Sequence, residues 1–485
     1  MIGLLRCGAS LASFGLVLAF AGAARAQSPA AAPTSVAVGD WLLSPALELR
    51  TRGEYWRDSP DLAGAGTTSG PAQNAYTIFE RTRLGVGAEY GALRGDPGFL
   101  RAQLTLQDAR AWGAPPPTGI ILGGGAQGSS ASPSFTGLYE GWAEVRTSSA
   151  RPAFLRIGRQ AVTWGDGRLL SNADWSPVAR TLDAVRGHAS AGMFDFELLA
   201  AILEPPVPLG VAFGQTTGPA SSGSELYGAQ VAASVAPLLK LELSLLARVR
   251  RSPQLTNGDG ETYVSSLRVA GGPGGGWRYA VEGAFELERP ITSSTATPAW
   301  AGAGYIEKTL ETVTLAPALR LEADAASGND VNGSHAQFDP LLPDVHELHG
   351  AMGLFAWSNT MQGSARVSVV PWTEGRLAVE YRYVRFAEHG QWLDSYLNRV
   401  ADAFGNEEGH EIDAWASWRP WPVLELVGGY SALLMSNAMR DLPNPGFPVG
   451  GVPGPGGGVS GSPPRPPYTA SSAHFAYLQA TLRIP

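Results

Sequence analysis

Arginine is the side chain whose abundance and spacing most clearly suggest chemistry in this sequence. Of the 35 cationic residues, only Lys240 and Lys308 are lysines. A guanidinium is planar and permanently charged, so it binds a carboxylate or a phosphate through two parallel hydrogen bonds, which an ammonium group cannot do. Arginines also recur two positions apart, as in Arg50-Thr51-Arg52 and Arg81-Thr82-Arg83. This spacing predicts a surface that carries rows of anion-binding groups.

The elements that must position these arginines are β-strands with one polar and one apolar face. In Leu47–Tyr55 and in Leu241–Arg250, polar or charged residues recur at every second position. This period of two fits a soluble sandwich as well as a transmembrane barrel, so strand patterning alone does not separate them. In a barrel, a charge on the lipid face costs about 2–4 kcal/mol at the bilayer midplane, so the arginines are expected to face the lumen.

Composition favours a large all-β protein over a helical enzyme. Only 16 % of the residues are charged, against about 25 % in an average soluble protein. Hydrophobic residues make up 44 %, with 14 Trp, 14 Tyr and 16 Phe, which a disordered chain lacks. The 61 glycines and 37 prolines supply many turns. The net charge of −8 and the lack of a basic run argue against nucleic acid as a partner.

The N-terminus predicts export from the cytoplasm. Met1–Arg6 is short and basic, Leu11–Ala21 is apolar, and Ala24-Arg25-Ala26 fits a cleavage site. We therefore expect a signal peptide over residues 1–26, followed by a periplasmic segment over 27–42. Cleavage removes Cys7, the only cysteine, which excludes disulfides and thiolate chemistry in the mature chain.

Loop lengths decide between the sandwich and the barrel. Eighteen candidate strands lie between residues 43 and 484, two of them near 153–165 and 313–326, and short turns alternate with long loops between them. Sorting of this kind is typical of transmembrane barrels, whose short turns are periplasmic and whose long loops are extracellular. The most apolar stretch, Phe194–Phe213, contains Asp195, Glu197 and Glu204, which argues against a spanning helix. We therefore expect residues 43–485 to form an antiparallel up-and-down barrel of about eighteen strands in the bacterial outer membrane.

No constellation of residues predicts catalysis, a metal site or a cofactor. His346-Glu347-Leu348-His349 lacks the two-turn helical spacing of zinc proteases and lies in a predicted loop. Asp324, Asn329, Asp330 and Asn332 lack the spacing of a calcium-binding EF-hand. An outer-membrane hydrolase needs Ser, His and a polar group on one strand face, and neither strand histidine, His188 or His474, has an evident partner. The protein is therefore not expected to be an enzyme.

A specific resemblance begins at Leu155. Gly158-Arg159-Gln160, Gly165-Asp166-Gly167-Arg168-Leu169, Asp174-Trp175 and Arg180-Thr181-Leu182-Asp183-Ala184-Val185-Arg186 follow one another. This succession resembles the alginate-export family of outer-membrane barrels. Arg81–Leu84, Leu106–Trp112 and Phe338–His346 also fit that family, and the match covers most of residues 45–484. It implies an eighteen-stranded monomeric channel with an arginine-rich constriction that passes an anionic polysaccharide. Outer-membrane lipid and periplasmic export components are the further partners expected.

Two groups of residues are expected to line the pore and bind substrate. They are the arginines on the polar strand faces and the charged residues of the motif segment, residues 158–186. The connection 166–178 within this segment is free to fold inward. The full set is Arg50, Arg52, Arg81, Arg83, Arg110, Arg156, Arg159, Arg168, Asp174, Arg180, Asp183, Arg186, Arg248, Arg320 and Arg382. Strand alternation places Arg156 in the lumen, whereas Arg159 then points outward unless a bulge intervenes.

Several alternatives remain open at the level of sequence. The same barrel with the same basic lumen suits uptake of carboxylates or sugar acids as small organic anions. The arginines could instead pair with glutamates and brace a wide barrel without contacting any substrate. A barrel that serves as an adhesin or a structural protein, without a channel, is a third possibility.

Overall fold

The protein was analysed as a computed structural model. It describes residues 35–58, 74–91, 100–113, 134–147, 153–204, 223–236, 238–251, 260–290, 295–329, 336–344, 346, 348–388, 392–393, 399–400, 407–436 and 470–485. The predicted signal peptide, residues 1–26, lies outside the described residues. So do most residues of the predicted loops 58–76, 113–135, 206–224, 388–408 and 436–470. Of the expected periplasmic segment, residues 36–38 pair with residues 41–43 as a short hairpin.

Strands dominate the described chain. In order they are β1 (Val36–Val38), β2 (Trp41–Arg57), β3 (Ala75–Tyr90), β4 (Leu100–Gly113), β5 (Ser134–Arg146), β6 (Phe154–Gln160), β7 (Leu182–Ala191), β8 (Phe194–Glu204), β9 (Gly223–Ala236), β10 (Leu239–Arg251), β11 (Gly260–Gly274), β12 (Trp277–Pro290), β13 (Thr297–Thr309), β14 (Ala318–Ala326), β15 (Thr360–Val369), β16 (Gly375–Phe386), β17 (Trp392–Leu393), β18 (Arg399–Val400), β19 (Glu407–Trp421), β20 (Leu424–Met435) and β21 (Ser472–Ile484). No helix within the described ranges is long and apolar enough to cross a membrane.

Eighteen of these strands, β2–β16 and β19–β21, form one closed antiparallel sheet. Each pairs with its neighbour along the chain, and β2 closes the barrel by pairing with β21, from Leu47 opposite Ile484 to Arg57 opposite His474. Each barrel strand matches one predicted from the sequence. The largest differences are β6, which ends at Gln160 rather than near residue 165, and β14, which begins at Ala318 rather than near residue 313. The predicted fold is therefore confirmed.

The two faces of the wall differ in polarity as the alternation predicts. On the outer face, Leu243 is 46 % and Val281 is 58 % exposed, and both lie within continuous bands of exposed Leu, Val, Ile and aromatic side chains. The adjacent Glu242 and Glu282 point inward and are 5 % and 9 % exposed. This division places apolar groups against lipid and charged groups in the lumen. Throughout, the short-turn rim is the end of the barrel that carries connections such as residues 192–193, 275–276 and 422–423, and the long-loop rim is the other end.

Two connections from the long-loop rim fold into the lumen. They are residues 161–181, between β6 and β7, and residues 336–344, 346 and 348–359, between β14 and β15, and together they are called the plug. Leu170 and Leu342 form a parallel bridge between the two segments. Ser171 N–H donates to the Leu342 carbonyl at 2.8 Å, and Asp344 N–H donates to the Gly167 carbonyl at 2.7 Å. Residues 166–178 therefore fold inward, and they pair with a second segment of the chain that also folds inward.

Apolar burial holds the plug against the wall. Leu170, Leu341, Phe338 and Trp357 are each at most 1 % exposed and form one cluster with wall residues that include Leu226 and Leu246. A second cluster joins Met352, Leu354 and Phe355 of the plug to aromatic residues of the wall, among them Trp56 and Phe475. A fully buried side chain of this size contributes roughly 1.5–3 kcal/mol. The plug is therefore a packed element of the fold.

Candidate functional site

Three arginines of neighbouring strands converge on one carboxylate of the plug. Arg50 of β2 lies directly opposite Arg81 of β3, and Arg83 follows two positions along the same face. Arg81 Nη1 and Nη2 donate to Asp174 Oδ1 at 3.0 Å and Oδ2 at 3.1 Å. Arg83 Nη1 donates to the same Oδ1 at 3.0 Å. Arg50 reaches the carboxylate less closely, at 3.6 Å. The strands thus present guanidinium groups at the spacing that the sequence predicts, and the plug supplies their anion.

The wall supports this cluster with further polar groups. Glu48 Oε1 accepts from Arg81 Nε at 3.0 Å and from Nη2 at 2.5 Å. Arg83 Nε donates to Gln107 Oε1 at 2.7 Å. The Arg83 guanidinium also lies 3.6 Å from the ring centroid of Tyr139. These contacts fix the orientation of both guanidinium groups, so a carboxylate in the lumen meets donors that are already aligned.

The charges around Asp174 set its protonation. Burial alone would raise the pKa of its carboxyl, but Arg81, Arg83 and Arg50 outweigh that effect and lower the pKa from 3.8 to about 2. Asp174 is therefore ionised at neutral pH. Its side chain keeps 38 % exposure, so solvent still reaches the carboxylate.

An aromatic stack fixes the next residue of the plug. Trp175 stacks on His346 with ring centroids 3.5 Å apart and an interplanar angle of 6°. The Arg52 guanidinium lies 3.8 Å from the Trp175 ring and donates from Nη1 to the Trp175 carbonyl at 2.7 Å. Burial lowers the pKa of His346 to about 3, so its ring is neutral at physiological pH. This stack joins both plug segments to β2.

Other predicted arginines also attach the plug to the barrel or to itself. Arg168 of the plug contacts Glu322 of β14. Arg248 of β10 contacts Asp339 of the plug. Arg180 Nη1 donates to the carbonyls of Ser171 at 3.0 Å and Pro343 at 3.2 Å, which ties the two plug segments together. The contacts of these three residues therefore fit the alternative in which arginines brace the barrel.

A further group of predicted arginines lies along the lumenal wall. Arg156 pairs with Glu144, Arg186 with Glu197, Arg320 with Glu322 and Arg382 with Glu380. Each pair joins side chains of the wall itself. Arg156 alternates with the exposed Leu155 and Ile157, so its lumenal position agrees with the strand parity expected from the sequence.

The structure places Arg110, Arg159 and Asp183 on the outer face, contrary to the expectation that they line the pore. Arg110 shares its face with Leu104 and Leu106, which are 49 % and 52 % exposed. Arg159 and Asp183 lie directly opposite each other, and Asp183 faces the exposed Ile202 across β7 and β8.

The physical reason is that β6 pairs with β5 and with β7 without a β-bulge near Arg159. The β5–β6 register is continuous from Gly141 opposite Arg159 to Arg146 opposite Phe154. Arg159 therefore keeps the outward parity of its strand, and Nε and Nη2 both donate to Asp183 at 2.7 Å. Arg110 forms the same kind of pair with Asp108, so each outer-face guanidinium is neutralised locally.

Sequence reasoning missed several members of the cluster. Glu48 and Gln107 lie on polar strand faces, and their alternation could have placed them beside Arg81 and Arg83. Tyr139 carried no such signal, because the β4–β5 register shifts next to it, between Thr105 and Leu106. Arg268, which contacts Asp166 and Glu242 at 2.5 Å each, was missed although it shares the lumenal parity of β11. Among the described residues, no group of three or more His, Asp or Glu side chains is placed to hold a metal ion.

Comparison with known proteins identifies the family. The family model for alginate export matches residues 42–442. The chain belongs to the alginate-export family. Its family and fold are those of channel proteins rather than enzymes, and the protein is an outer-membrane channel. No curated protein matches the chain.

Solved barrels of Pseudomonas aeruginosa resemble this member of the alginate-export family in fold. The outer membrane protein opdK is 12 % identical, with 91 % of this chain and 98 % of that one covered and a TM-score of 0.52. OccK8 (OprE) is 9 % identical, with the same coverage and a TM-score of 0.52. OprD is 11 % identical, with 91 % and 95 % covered and a TM-score of 0.51. These likenesses concern the barrel architecture.

Proposed function

We propose that this channel passes an anionic polysaccharide across the outer membrane and that the Arg50–Arg81–Arg83 cluster is its anion-selective contact. The observation that carries the proposal is the carboxylate of Asp174, which these lumenal guanidinium groups hold. A uronate residue offers the same carboxylate and can therefore exchange with Asp174. Conduction requires binding that is weak enough to release, and a competing internal carboxylate weakens it.

Passage of a polymer requires movement of the plug. Apolar clusters and ion pairs hold the plug inside the lumen, so a polymer chain cannot follow that part of the bore until the plug shifts. The Asp174 side chain keeps 38 % exposure, so solvent reaches this contact, whereas the apolar contacts of the plug are buried. Displacement at Asp174 is therefore the step at which an arriving anion acts on the plug.

The test measures selectivity and block in planar bilayers. We expect wild-type protein to prefer anions over cations in reversal-potential measurements and to show current block by a linear uronate hexasaccharide. The matched variant Arg81→Gln/Arg83→Gln keeps polarity and should lose both properties, while Arg110→Gln, on the outer face, should keep them. Cation preference in the wild-type protein would overturn the proposal.

Uptake of small carboxylates is the second candidate. It is favoured by the fact that Arg81 and Arg83 together bind one carboxylate, that of Asp174, which a monomeric sugar acid also provides. Block by the hexasaccharide but not by monomeric uronate supports the polysaccharide. Equal molar affinity for both supports the small anion. A barrel with no measurable conductance would support the adhesin or structural alternative instead.

We also propose the cellular setting. Residues 1–26 act as a cleaved signal peptide, residues 27–42 as a periplasmic segment and residues 43–485 as the barrel. The protein acts as a monomer without catalytic activity, and periplasmic export components deliver its polymer. Amino-terminal sequencing of the mature protein tests the cleavage of the signal peptide. Light scattering of the detergent-solubilised protein tests the monomeric state.

A further inference from the structure

Three arginine–glutamate–arginine triads recur in the lumen. The first is Arg146–Glu144–Arg156, the second Arg168–Glu322–Arg320 and the third Arg382–Glu380–Arg366. In each triad the two oxygens of the glutamate contact different arginines. Glu380, for example, meets Arg382 Nη2 at 2.5 Å through Oε1 and Arg366 Nε at 2.6 Å through Oε2. One carboxylate therefore serves two guanidinium groups, so each triad taken by itself has a formal charge of +1.

Burial divides each triad into an inner and an outer part. The glutamate side chains of the three triads are 1 %, 4 % and 3 % exposed. One arginine of each triad reaches further into the lumen, and these outer arginines, Arg156, Arg320 and Arg366, are 19 %, 20 % and 21 % exposed. The positive charge is thus accessible from the bore, while its carboxylate is covered.

Each outer arginine also stacks on a lumenal aromatic ring. Arg156 lies 3.8 Å from the ring of Trp142, Arg320 lies 3.6 Å from that of Tyr305, and Arg366 lies 4.8 Å from that of Trp415. In all three, Nε and Nη2 contact the glutamate. Their Nη1 groups make no hydrogen bond to any residue that the structure describes, which leaves donors directed at the lumen.

The outer arginines of the three triads all lie three or four residues from the short-turn rim. Arg156 is the third residue of β6 and Arg320 the third of β14, both counted from the short-turn rim, and Arg366 is the fourth residue from that rim on β15. The first triad faces the other two across the lumen. Strands β7–β13 separate it from the second triad on one side, and β19–β21 with β2–β4 separate it from the third on the other. A chain that enters from the short-turn rim passes between them.

We propose that these aromatic-backed triads are binding stations for residues of an acidic polysaccharide at the short-turn entrance. This rests on the proposed function and adds the recognition step that precedes the Arg50–Arg81–Arg83 cluster. Sugar rings present C–H groups that pack on aromatic faces, and uronate residues add a carboxylate for the free guanidinium donors. Because each station carries one net charge, each binds weakly, and a polymer that contacts more than one station gains an advantage over a monomer.

The experiment uses the full chain in planar bilayers with a linear uronate hexasaccharide added on the short-turn side. Trp142→Leu, Tyr305→Leu and Trp415→Leu each remove one aromatic platform. We expect each to shorten the block and weaken hexasaccharide affinity about twofold to tenfold, the range of one aromatic contact. Block from the long-loop side should change less. Trp300→Leu is the matched control, since Trp300 lies on β13 with Tyr305 but faces outward and is 43 % exposed.

The outcomes separate this inference from the proposed function. Wild-type protein that no uronate blocks from either side overturns the proposed function itself. Wild-type block that all three leucine variants retain unchanged overturns the stations alone. Equal block by a neutral hexasaccharide overturns their acidic specificity. The conservative variants Trp142→Tyr and Tyr305→Trp keep a ring and should restore affinity, so they decide the result if a leucine variant does not assemble.

Discussion

Asp174 of the plug lies between Arg81 and Arg83 of β3, with its Oδ1 atom 3.0 Å from the Nη1 atom of each. Both arginines are buried in the wall and are held by Glu48 and Gln107 respectively. In the proposed function, an anionic ligand takes the place of this internal carboxylate. Ligand binding and plug position would then be coupled, because the same guanidinium donors cannot satisfy both anions fully.

Replacing Asp174 with Asn should free the arginine cluster. The variant keeps the size of the side chain but removes the charge, which should weaken plug docking by roughly 1–2 kcal/mol after allowance for its partial exposure. That shift changes the docking equilibrium about 5- to 30-fold. Single-channel conductance and anion preference should both rise in planar bilayers. Glu311→Gln, which removes an exposed carboxylate from the connection between β13 and β14 at the short-turn rim, is the control and should leave both unchanged.

Acid should release the same contact in the wild-type protein. The guanidinium groups lower the pKa of Asp174 to about 2, below its ordinary value of 3.8. A lowered pKa means that docking is fully stabilised above about pH 4 and loses that stabilisation as pH falls towards 2. Conductance should therefore rise between pH 4 and 2 in the wild-type protein. Asp174→Asn should lack this increase, and an identical rise in both proteins would assign the effect to other groups.

The barrel could be predicted because the alternation of polar and apolar residues along each strand indicates which face of the strand meets lipid and which meets the lumen. In β10 and β12, alternate residues face lipid and lumen. The buried charged neighbours Glu242 and Glu282 therefore indicate that Leu243 and Val281 face lipid. Strand pairing is local along the chain, since each barrel strand pairs with the next. The continuous parity that places Arg50, Arg52, Arg81 and Arg248 in the lumen follows from the same alternation.

The plug could not be predicted in the same way. Its contacts join positions far apart in sequence, such as Arg168 with Glu322 and Leu170 with Leu342, and no periodic pattern reports such pairs. The arginines of the motif segment also differ in role although they share a residue type. Arg159 faces outward and Arg168 lies inside, and only the length of β6 and the inward course of the chain after Gln160 separate them.

A charge on the lipid face should impair assembly. Val281 is 58 % exposed on the outer face of β12, so Val281→Arg places an unpaired guanidinium in the bilayer at a cost of about 2–4 kcal/mol near the midplane. We expect a reduced fraction of heat-modifiable, folded barrel in outer-membrane preparations. Val281→Thr is polar but uncharged and should assemble normally. Normal assembly of the arginine variant would show that this face does not contact lipid.

The orientation of the two rims predicts which inserted peptide tags are accessible at the cell surface. Peptide tags inserted at 274, the last residue of β11, or at 373, in the connection between β15 and β16, lie at the short-turn rim and should not be labelled on intact cells. A tag at 455, in the connection between β20 and β21, should be labelled, because long connections of such barrels are extracellular. Antibody labelling before and after permeabilisation provides the measurement. Labelling of the first two sites on intact cells would reverse the orientation, and with it the entrance assigned to the triads.

Gly350 should control how firmly the second plug segment is held. Its φ of 97° disfavours any residue with a side chain, and a Cβ there would collide with the carboxylate of Glu411. That carboxylate accepts from the Met352 N–H at 3.0 Å, so it is one of the groups that attach the plug to β19. Gly350→Ala must therefore strain the backbone, at about 1–2 kcal/mol, and displace Glu411.

We expect Gly350→Ala to loosen the segment without disturbing the barrel, because the wall pairing does not involve this residue. Conductance should rise and become noisier, while heat-modifiable migration stays normal. Gly363→Ala on β15, where a Cβ meets no atom within 4 Å, is the control and should behave as the wild type. Unchanged conductance in Gly350→Ala would mean that the apolar cluster around Phe355 holds the plug by itself. In that case, opening would have to begin at the first segment, where Asp174 meets the arginines.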